Sequence, residues 1–404
     1  MEPNGWSKFN LGDILSFKNG INAEKKHYGH GVKFVNVMDV FRDTRLYEQS
    51  IIGLVSISDK QLKEFSVQYG DILFNRTSET FEEIAFASVY LDTKTITFGG
   101  FVIRGRPRGE FLHPEYSVYC FQASKIRRQL ISKGQGAVRA NIGQKDLNKV
   151  LLSLPPIPEQ QKIAKILSTW DKAITTTEAL IDNSKQQKKA LMQQLLTGKK
   201  RFAGFEGGWE EVSLGDVSDM NSGGTPKSSI EEYYGGDIPW VSIADMTKHG
   251  KWIQRTEKHL SKLGLESSSA RLFPKGTVLY AMYASIGECS ISTVELASSQ
   301  AILGIRPKAS LSNLYLYYVL KMLKEKVILM GQQGTQSNLN AAMVKDFKLF
   351  LPILKEQQKI VTVLTNADKE VELLEQQLTD LKQEKSALMQ QLLTGKCRVK
   401  IDEI

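Results

Sequence analysis

A nine-residue string occurs twice without a change. Leu191-Met192-Gln193-Gln194-Leu195-Leu196-Thr197-Gly198-Lys199 returns as Leu388 to Lys396, 197 residues later in a chain of 404. The same offset carries Glu159-Gln160-Gln161-Lys162-Ile163 onto Glu356 to Ile360, Leu154-Pro155 onto Leu351-Pro352, and Asn141 onto Asn338. Identity of this length at one fixed register requires an internal duplication, so the fold must be built from two related halves. Looser matches lie upstream. Gly5-Trp6 with Leu11-Gly12-Asp13 answers Gly208-Trp209 with Leu214-Gly215-Asp216, and Gly70-Asp71-Ile72-Leu73 answers Gly276-Thr277-Val278-Leu279. The chain therefore reads A–B–A′–B′, with A at 1–158, B at 159–202, A′ at 203–355 and B′ at 356–404. The A copies have diverged and the B copies have not, which points to different ligands for A and A′ and one shared task for B and B′, the alternative being neutral drift in surface-rich modules.

B and B′ have the grammar of long helices. Pro155, Pro156 and Pro158 precede B, and Pro352 precedes B′. Proline suits a helix entrance and disrupts a helix interior. From Ile163 to Leu196, and from Ile360 to Leu393, neither glycine nor proline intervenes; Gly198 and Gly395 then stand at the stop. Apolar residues recur in heptads. In B the a and d positions include Ile163, Leu167, Trp170, Ile174, Ile181, Leu191 and Leu195. In B′ they include Ile360, Leu364, Val371, Leu374, Leu378, Leu381, Leu388 and Leu392. Nearly five heptads predict a coiled coil. Lys188 and Lys385 break the seam at equivalent a positions; a polar residue there can fix register at a cost in stability, but the preferred expectation is that each carries its ammonium outward along an apolar stem. A′ starts where B ends and finishes where B′ starts. An antiparallel pair brings those points together, with A and A′ at opposite ends and the C-terminus near the start of B.

A and A′ read as mixed α/β modules. Strands are predicted at 32–40, 71–74, 85–91 and 96–103, the last with a glycine interruption, followed by an amphipathic helix from Tyr116 to Ile131 and a loop from Lys133 to Asn141. The A′ counterparts are strands at 238–243, 277–282 and 302–305, a helix from Leu311 to Met330, and a loop from Gly331 to Asn338. The formal charge is +9. The excess lies early: 21 Lys and Arg against 16 Asp and Glu in A, and nine against four in B. A basic balance suits a polyanionic partner. No apolar run is long enough for a membrane span, and the N-terminus lacks the pattern of a signal peptide. Cys120, Cys289 and Cys397 show no metal or redox spacing and read as reduced thiols of a cytoplasmic protein.

Catalytic apparatus is missing from the sequence. There is no phosphate-binding Gly-x-x-x-x-Gly-Lys-Ser/Thr loop, no Gly-x-Gly-x-x-Gly turn and no Asn/Asp-Pro-Pro-aromatic tetrapeptide. His27 and His30 are three apart without a completing ligand set. Asp13 with Glu24-Lys25-Lys26 lacks the Pro-Asp context of a nuclease motif.

Leu154-Pro155-Pro156-Ile157-Pro158-Glu159-Gln160-Gln161-Lys162-Ile163, Gln193 to Gly198, Gly70-Asp71-Ile72-Leu73-Phe74-Asn75-Arg76-Thr77 and Trp209 to Gly215 carry a family signature. With the doubled architecture, the whole chain resembles the specificity (S) subunit of type I restriction-modification systems. The resemblance implies that A and A′ are target recognition domains, each reading one half of a split double-stranded DNA site. The B helices would set the spacing and dock two modification (M) subunits, to which restriction (R) subunits add. S-adenosylmethionine, ATP and Mg would then be used in the partner chains, with no cofactor, metal or catalytic residue here. Two departures stand out: Arg76 falls opposite Met282, and Pro156-Ile157-Pro158 becomes Ile353-Leu354-Lys355.

Direct readout favours Arg or Lys at guanine and Asn or Gln at adenine. The candidate contacts on glycine-rich loops are Arg76, Thr77, Gln135, Arg139, Asn141 and Lys145 in A, and Lys227, Tyr283, Gln333, Gln336 and Asn338 in A′. The same loops could serve only as turns and helix caps. Asn141 and Asn338, at equivalent places, fit a structural or phosphate-binding role better than base reading. Two other assignments fit the sequence, a coiled-coil scaffold without DNA readout and an orphan or phase-varied specificity subunit; the missing motifs weigh against a third, a self-contained nuclease–methylase.

Overall fold

Long apolar-seamed helices that carry a diverged module apiece can bury their seams only against one another, and the structure satisfies this in two compact units. A computed structural model describes residues 3, 5–136, 138–333 and 338–400, with their side chains except those of 330–333. One unit comprises residues 1–178 and 376–404, the other residues 179–375. Each unit holds one A module and part of each long helix, Ile157–Leu196 and Leu354–Leu392. Among the described residues, no helix is long and apolar enough to cross a membrane.

In the first unit a five-stranded sheet runs in the spatial order Leu15–Asn19, Val102–Pro107, Ile72–Asn75, Ala87–Tyr90, Arg45–Leu46. All neighbours are antiparallel except the last pair. A smaller sheet joins Leu54–Val55, Tyr28–Val35 and Thr97–Phe98. The second unit repeats the main sheet in order and direction with Ser218–Ser222, Ile302–Pro307, Val278–Ala281, Cys289–Ser292 and Trp252–Ile253. The central strands are buried along their whole length, and the serines they carry, Ser88, Ser290 and Ser292, donate to backbone carbonyls.

Three local expectations are corrected. Residues 32–40 are not one strand: the strand ends at Val35, and Val37–Arg42 is helical. The Asn36 amide donates to Asp39 Oδ2 at 2.8 Å, closing a capping turn. In the second unit Ser242 and Asp245 make the same turn, ahead of helix Ile243–His249. The expected helix over 116–131 is broken into Pro114–Cys120 and Ser124–Ser132. Neither glycine nor proline marks the break. Tertiary contacts hold it, with Phe121 edge-on against Phe74 at 5.2 Å and Gln122 donating to the Ala87 carbonyl. Pro158 does not precede the first long helix but lies inside its first turn, where a missing N–H costs no intrahelical bond.

The repeated Glu-Gln-Gln is the joint between module and helix. Gln160 is buried; its carbonyl accepts from the His113 amide at 2.9 Å, and its NH₂ donates to the Phe111 and Pro155 carbonyls at 2.9 Å. Gln357 does the same with the Ser312 amide and the Ser310 and Pro352 carbonyls, each at 2.8 Å. The adjacent Glu159 and Glu356 carboxylates are buried under paired bonds from Arg398 and Arg201. Arg398 follows the second long helix, so the chain beyond that helix meets the start of the first one. In the first unit Ile163, Leu167, Leu392 and Leu393 share one core with Ile72 and Phe74. In the second, Leu195, Leu196, Ile360 and Leu364 share a core with Val278 and Tyr280. Cys120 and Cys289 are buried too, and burial pushes both thiols up to about 12.

The helices pair antiparallel, as expected. In the first unit Asp171 meets Lys385 and Glu178 meets Lys382; in the second, Lys185 meets Glu375 and Lys188 meets Asp368. As numbers rise on one helix, partner numbers fall on the other. The heptad positions Leu167, Trp170, Ile174, Ile181, Leu191, Leu364, Leu374, Leu378, Leu381 and Leu388 are all buried or half-buried. The two seam lysines do not reach outward. Lys385 is ion-paired to Asp171, which also accepts from the Tyr119 hydroxyl and pairs with Arg45 at 3.0 Å. Lys188 is ion-paired to Asp368, which accepts from Tyr318 and pairs with Lys251 at 3.1 Å. A cation in the seam is drawn inward because a carboxylate on the facing helix completes it, and that partner fixes the register.

Burial opposes ionisation of Asp171, but bonds and charge from Lys385, Tyr119 and Arg45 outweigh it and hold the carboxyl below its usual value. Asp368 is held down likewise, by Lys188, Tyr318 and Lys251 against burial. A carboxyl depressed in the folded state binds fewer protons than in the unfolded chain. Its stabilisation is complete above about pH 4 and is lost as pH falls through the depressed value. The urea midpoint should fall on acidification below about pH 4, and fall less in the Asp171→Asn, Asp368→Asn double variant. At neutral pH, Asp171→Ala strands Lys385 and Arg45 and should cost about 2–4 kcal/mol of stability. Equilibrium denaturation against wild type measures both effects.

Candidate nucleic-acid interface

Antiparallel strands must be joined by a loop, and the loop between Ile72–Asn75 and Ala87–Tyr90 carries two of the candidate residues. Its base is the bond from the Asn75 amide to the Phe86 carbonyl at 3.0 Å, with the Phe86 amide returning to Asn75 Oδ1 at 2.6 Å. Between them, the Arg76 amide donates to the Phe101 carbonyl at 2.8 Å, and the Ile142 amide donates to the Arg76 carbonyl at 3.0 Å. Three segments, around Arg76, Phe101 and Asn141, therefore meet at one junction. The second unit repeats it. The Met282 amide donates to the Ala301 carbonyl at 2.9 Å, and the Leu339 amide to the Met282 carbonyl at 3.1 Å. Its base is the bond from the Ala281 amide to the Glu288 carbonyl at 2.8 Å. The pairing of Arg76 with Met282 expected from sequence is thus a structural equivalence.

The frame is shared and the loops are not. Residues 76–85 lie between the base positions in the first unit, against 282–287 in the second. The longer loop forms a short strand, Thr77–Ser78, that pairs with Ala140–Asn141. Arg127 fastens it by donating to the Glu82, Ile84 and Ala85 carbonyls at 2.8–2.9 Å, and Ala85 is held at φ +51°.

This arrangement brings Arg76, Thr77, Gln135, Arg139 and Asn141 together. Gln135 and Asn141 exchange backbone bonds of 2.8 and 2.7 Å, closing a hairpin with Arg139 exposed at its tip. Gly136, at φ +128°, makes that turn; an added Cβ would strike the Arg139 carbonyl. The Asn141 carboxamide is engaged inside the hairpin, accepting from Thr77 Oγ1 at 2.9 Å and donating to the Arg139 carbonyl at 3.0 Å. Arg139 lies 3.9 Å from Glu79, and both are largely exposed, so the contact holds neither firmly. Lys145 is exposed in the helix Gln144–Asn148, which follows Ile142 and packs against Leu11–Ile14 and Leu15–Asn19.

In the second unit Tyr283 and Asn338, both exposed, flank the Met282 junction. Lys227 is exposed in a separate loop, next to Pro226, whose carbonyl accepts from the Tyr234 hydroxyl. The side chain of Gln333 and all of Gln336 lie outside the described residues. Sequence reasoning missed Phe101, although Gly99-Gly100 before it marks a turn. It also missed Met38, which stands exposed in the helix mistaken for a strand.

The frame and its duplication correspond to a known family. The model of the type I restriction modification DNA specificity domain matches residues 3–184 and again 206–383. The chain belongs to this family and contains two copies of its domain. A Methanocaldococcus jannaschii protein ascribed to the MjaX type I restriction enzyme as its specificity subunit is 25% identical over 98% of this chain and 95% of its own. The HindI specificity subunit of Haemophilus influenzae is 23% identical over 89% of this chain and 93% of its own. The crystal structure of the HsdS subunit from Thermoanaerobacter tengcongensis shares the fold, with a TM-score of 0.55 at 18% identity over 98% of both chains.

The Arg127 clamp yields a direct check. Arg127→Ala removes three bonds to loop carbonyls and should speed amide exchange over residues 82–86 at least about tenfold, with about 1–3 kcal/mol lost in the first unit. Hydrogen-exchange mass spectrometry reads both, and unchanged protection of the loop would refute the clamp.

Proposed function

We propose that this chain is the DNA-reading subunit of a type I restriction-modification complex, with each module reading one half of a bipartite site. The supporting observation is the repeated junction: one hydrogen-bonded frame displays exposed Arg76 and Phe101 in one unit and, beside a buried Met282, exposed Tyr283 in the other. A constant frame with different side chains is what two readers of different half-sites require. Exposed Arg76 and Arg139 supply charge for phosphate or guanine. The long helices, of 40 and 39 residues, are each about 60 Å long at 1.5 Å per residue. Half-sites one duplex turn apart are about 34 Å apart. The helices in this reading set the spacing and dock two methylase subunits. Methyl transfer with S-adenosylmethionine, and cleavage with ATP and Mg, belong to partner chains in the cytoplasm.

The test is the methylation pattern. This chain is expressed with its methylase subunit in a host lacking such systems, and methyladenine is mapped by single-molecule sequencing. The expected result is one new split motif, methylated once on each strand. A methylase that is active beside another specificity subunit, yet leaves no new mark with this one, would support a scaffold or a defective reader instead. Within this reading, Arg139→Ala should weaken binding about 10-fold or relax one half-site while the other stays intact. Unchanged affinity and motif would remove Arg139 from the interface.

A further inference from the structure

The first module exposes apolar side chains beside its arginines. Met38 and Phe101 are each 64% exposed, and with Val37, Phe41, Phe86 and Arg139 they line a groove of about 620 Å³. Thr77 and Ser78 form part of its floor. Of the two acids at the groove, Glu83 is engaged by the Ser78 hydroxyl at 3.2 Å, and Glu79 stands 86% exposed. Apolar atoms left in water this way mark a contact surface rather than a packing need.

The second module supplies the contrast on the same frame. The capping turns Asn36/Asp39 and Ser242/Asp245 place Met38 opposite Ala244 and Phe41 opposite Thr247. The junction places Phe101 opposite Ala301, and the loop base places Phe86 opposite Glu288. Four large apolar walls thus become two alanines, a threonine and a glutamate. Phe41 and Phe86 pack on each other at 6.1 Å, whereas Met38 and Phe101 stand in water, and the second module's fold is built without either, so these two are free to serve what the first module binds.

Within the proposed DNA reading, on which this inference rests, the occupant follows from chemistry. The base edges in the major groove present hydrogen-bond donors and acceptors and one apolar group, the thymine 5-methyl. We infer that the first module reads a thymine in its half-site by packing that methyl against Met38 and Phe101, with Arg139 on the rim holding the duplex. The groove is larger than a methyl, so it takes the edge of the pyrimidine and not the methyl alone.

Uracil pairs as thymine does and lacks only the methyl. The complex of the full chain with its methylase is titrated with duplexes carrying its mapped motif, with each thymine of the first module's half-site replaced singly by uracil. That half-site is the one relaxed when the groove residues are substituted. At one position binding should weaken about fourfold. The same replacement should cost the Met38→Ala, Phe101→Ala complex nothing, while the other half-site remains discriminated, which confirms that the variant is folded. Uniform indifference to uracil, a loss that persists in the variant, or a half-site without thymine would overturn the inference and leave the DNA reading standing. Failure of the wild-type complex to distinguish its motif from scrambled duplex would overturn the reading itself.

Discussion

Asp171 and Asp368 hold together three things that the rest of the structure needs in a fixed relation. Each carboxylate takes a lysine from the facing helix, a tyrosine hydroxyl from the module helix packed on the seam, and a cation from the end strand of the module's sheet or the residue just before it. A wholly apolar seam could slip by a heptad at modest cost. A half-buried lysine cannot, because moving it leaves one cation and one carboxylate without partners. The same ionic cluster therefore sets helix register and seats a module upon the helix pair.

Around that point the duplication is reproduced bond for bond. Gln160 and Gln357 tie each module to the start of a helix, and Glu159 and Glu356 take an arginine that follows the other helix's end. These buried polar groups tolerate little change, since removing one partner leaves the other desolvated and unsatisfied. The junctions at Arg76 and Met282 share their backbone bonds, while the side chains differ: Arg127 fastens the longer loop of the first unit, and Met282 is buried in the second. Constraint and difference are thus separated along the chain: the frame is shared, and the side chains exposed around it are specific to each module.

Much of the candidate site was legible, for identifiable reasons. Arg76, Thr77, Gln135, Arg139 and Asn141 were found because glycine-rich turns with basic or amide residues stand out in sequence, and they converge. Lys145 and Lys227 were chosen on the same local grounds and stand on neighbouring segments, Lys145 in the helix after Ile142 and Lys227 in a loop whose Gly223 amide donates to the Ile302 carbonyl. Phe101 and Met38 were invisible as site residues. An apolar side chain looks like core until its exposure is known, and the capping turn of Asn36 and Asp39 was hidden inside an apolar run that read as strand.

The repeat, the two long helices, their heptad seams and their antiparallel pairing were determined by sequence alone, because each follows from periodicity, helix-ending residues or connectivity. What Lys188 and Lys385 do was not. The pattern marked them as interruptions, and an isolated lysine on an apolar stripe is cheapest when its ammonium reaches water. Only the tertiary structure brings Asp368 and Asp171 across from the other helix, with Lys251 and Arg45 from the modules. A charge lies inward or outward according to the partners that meet it, and those partners are distant in sequence and close only in the fold.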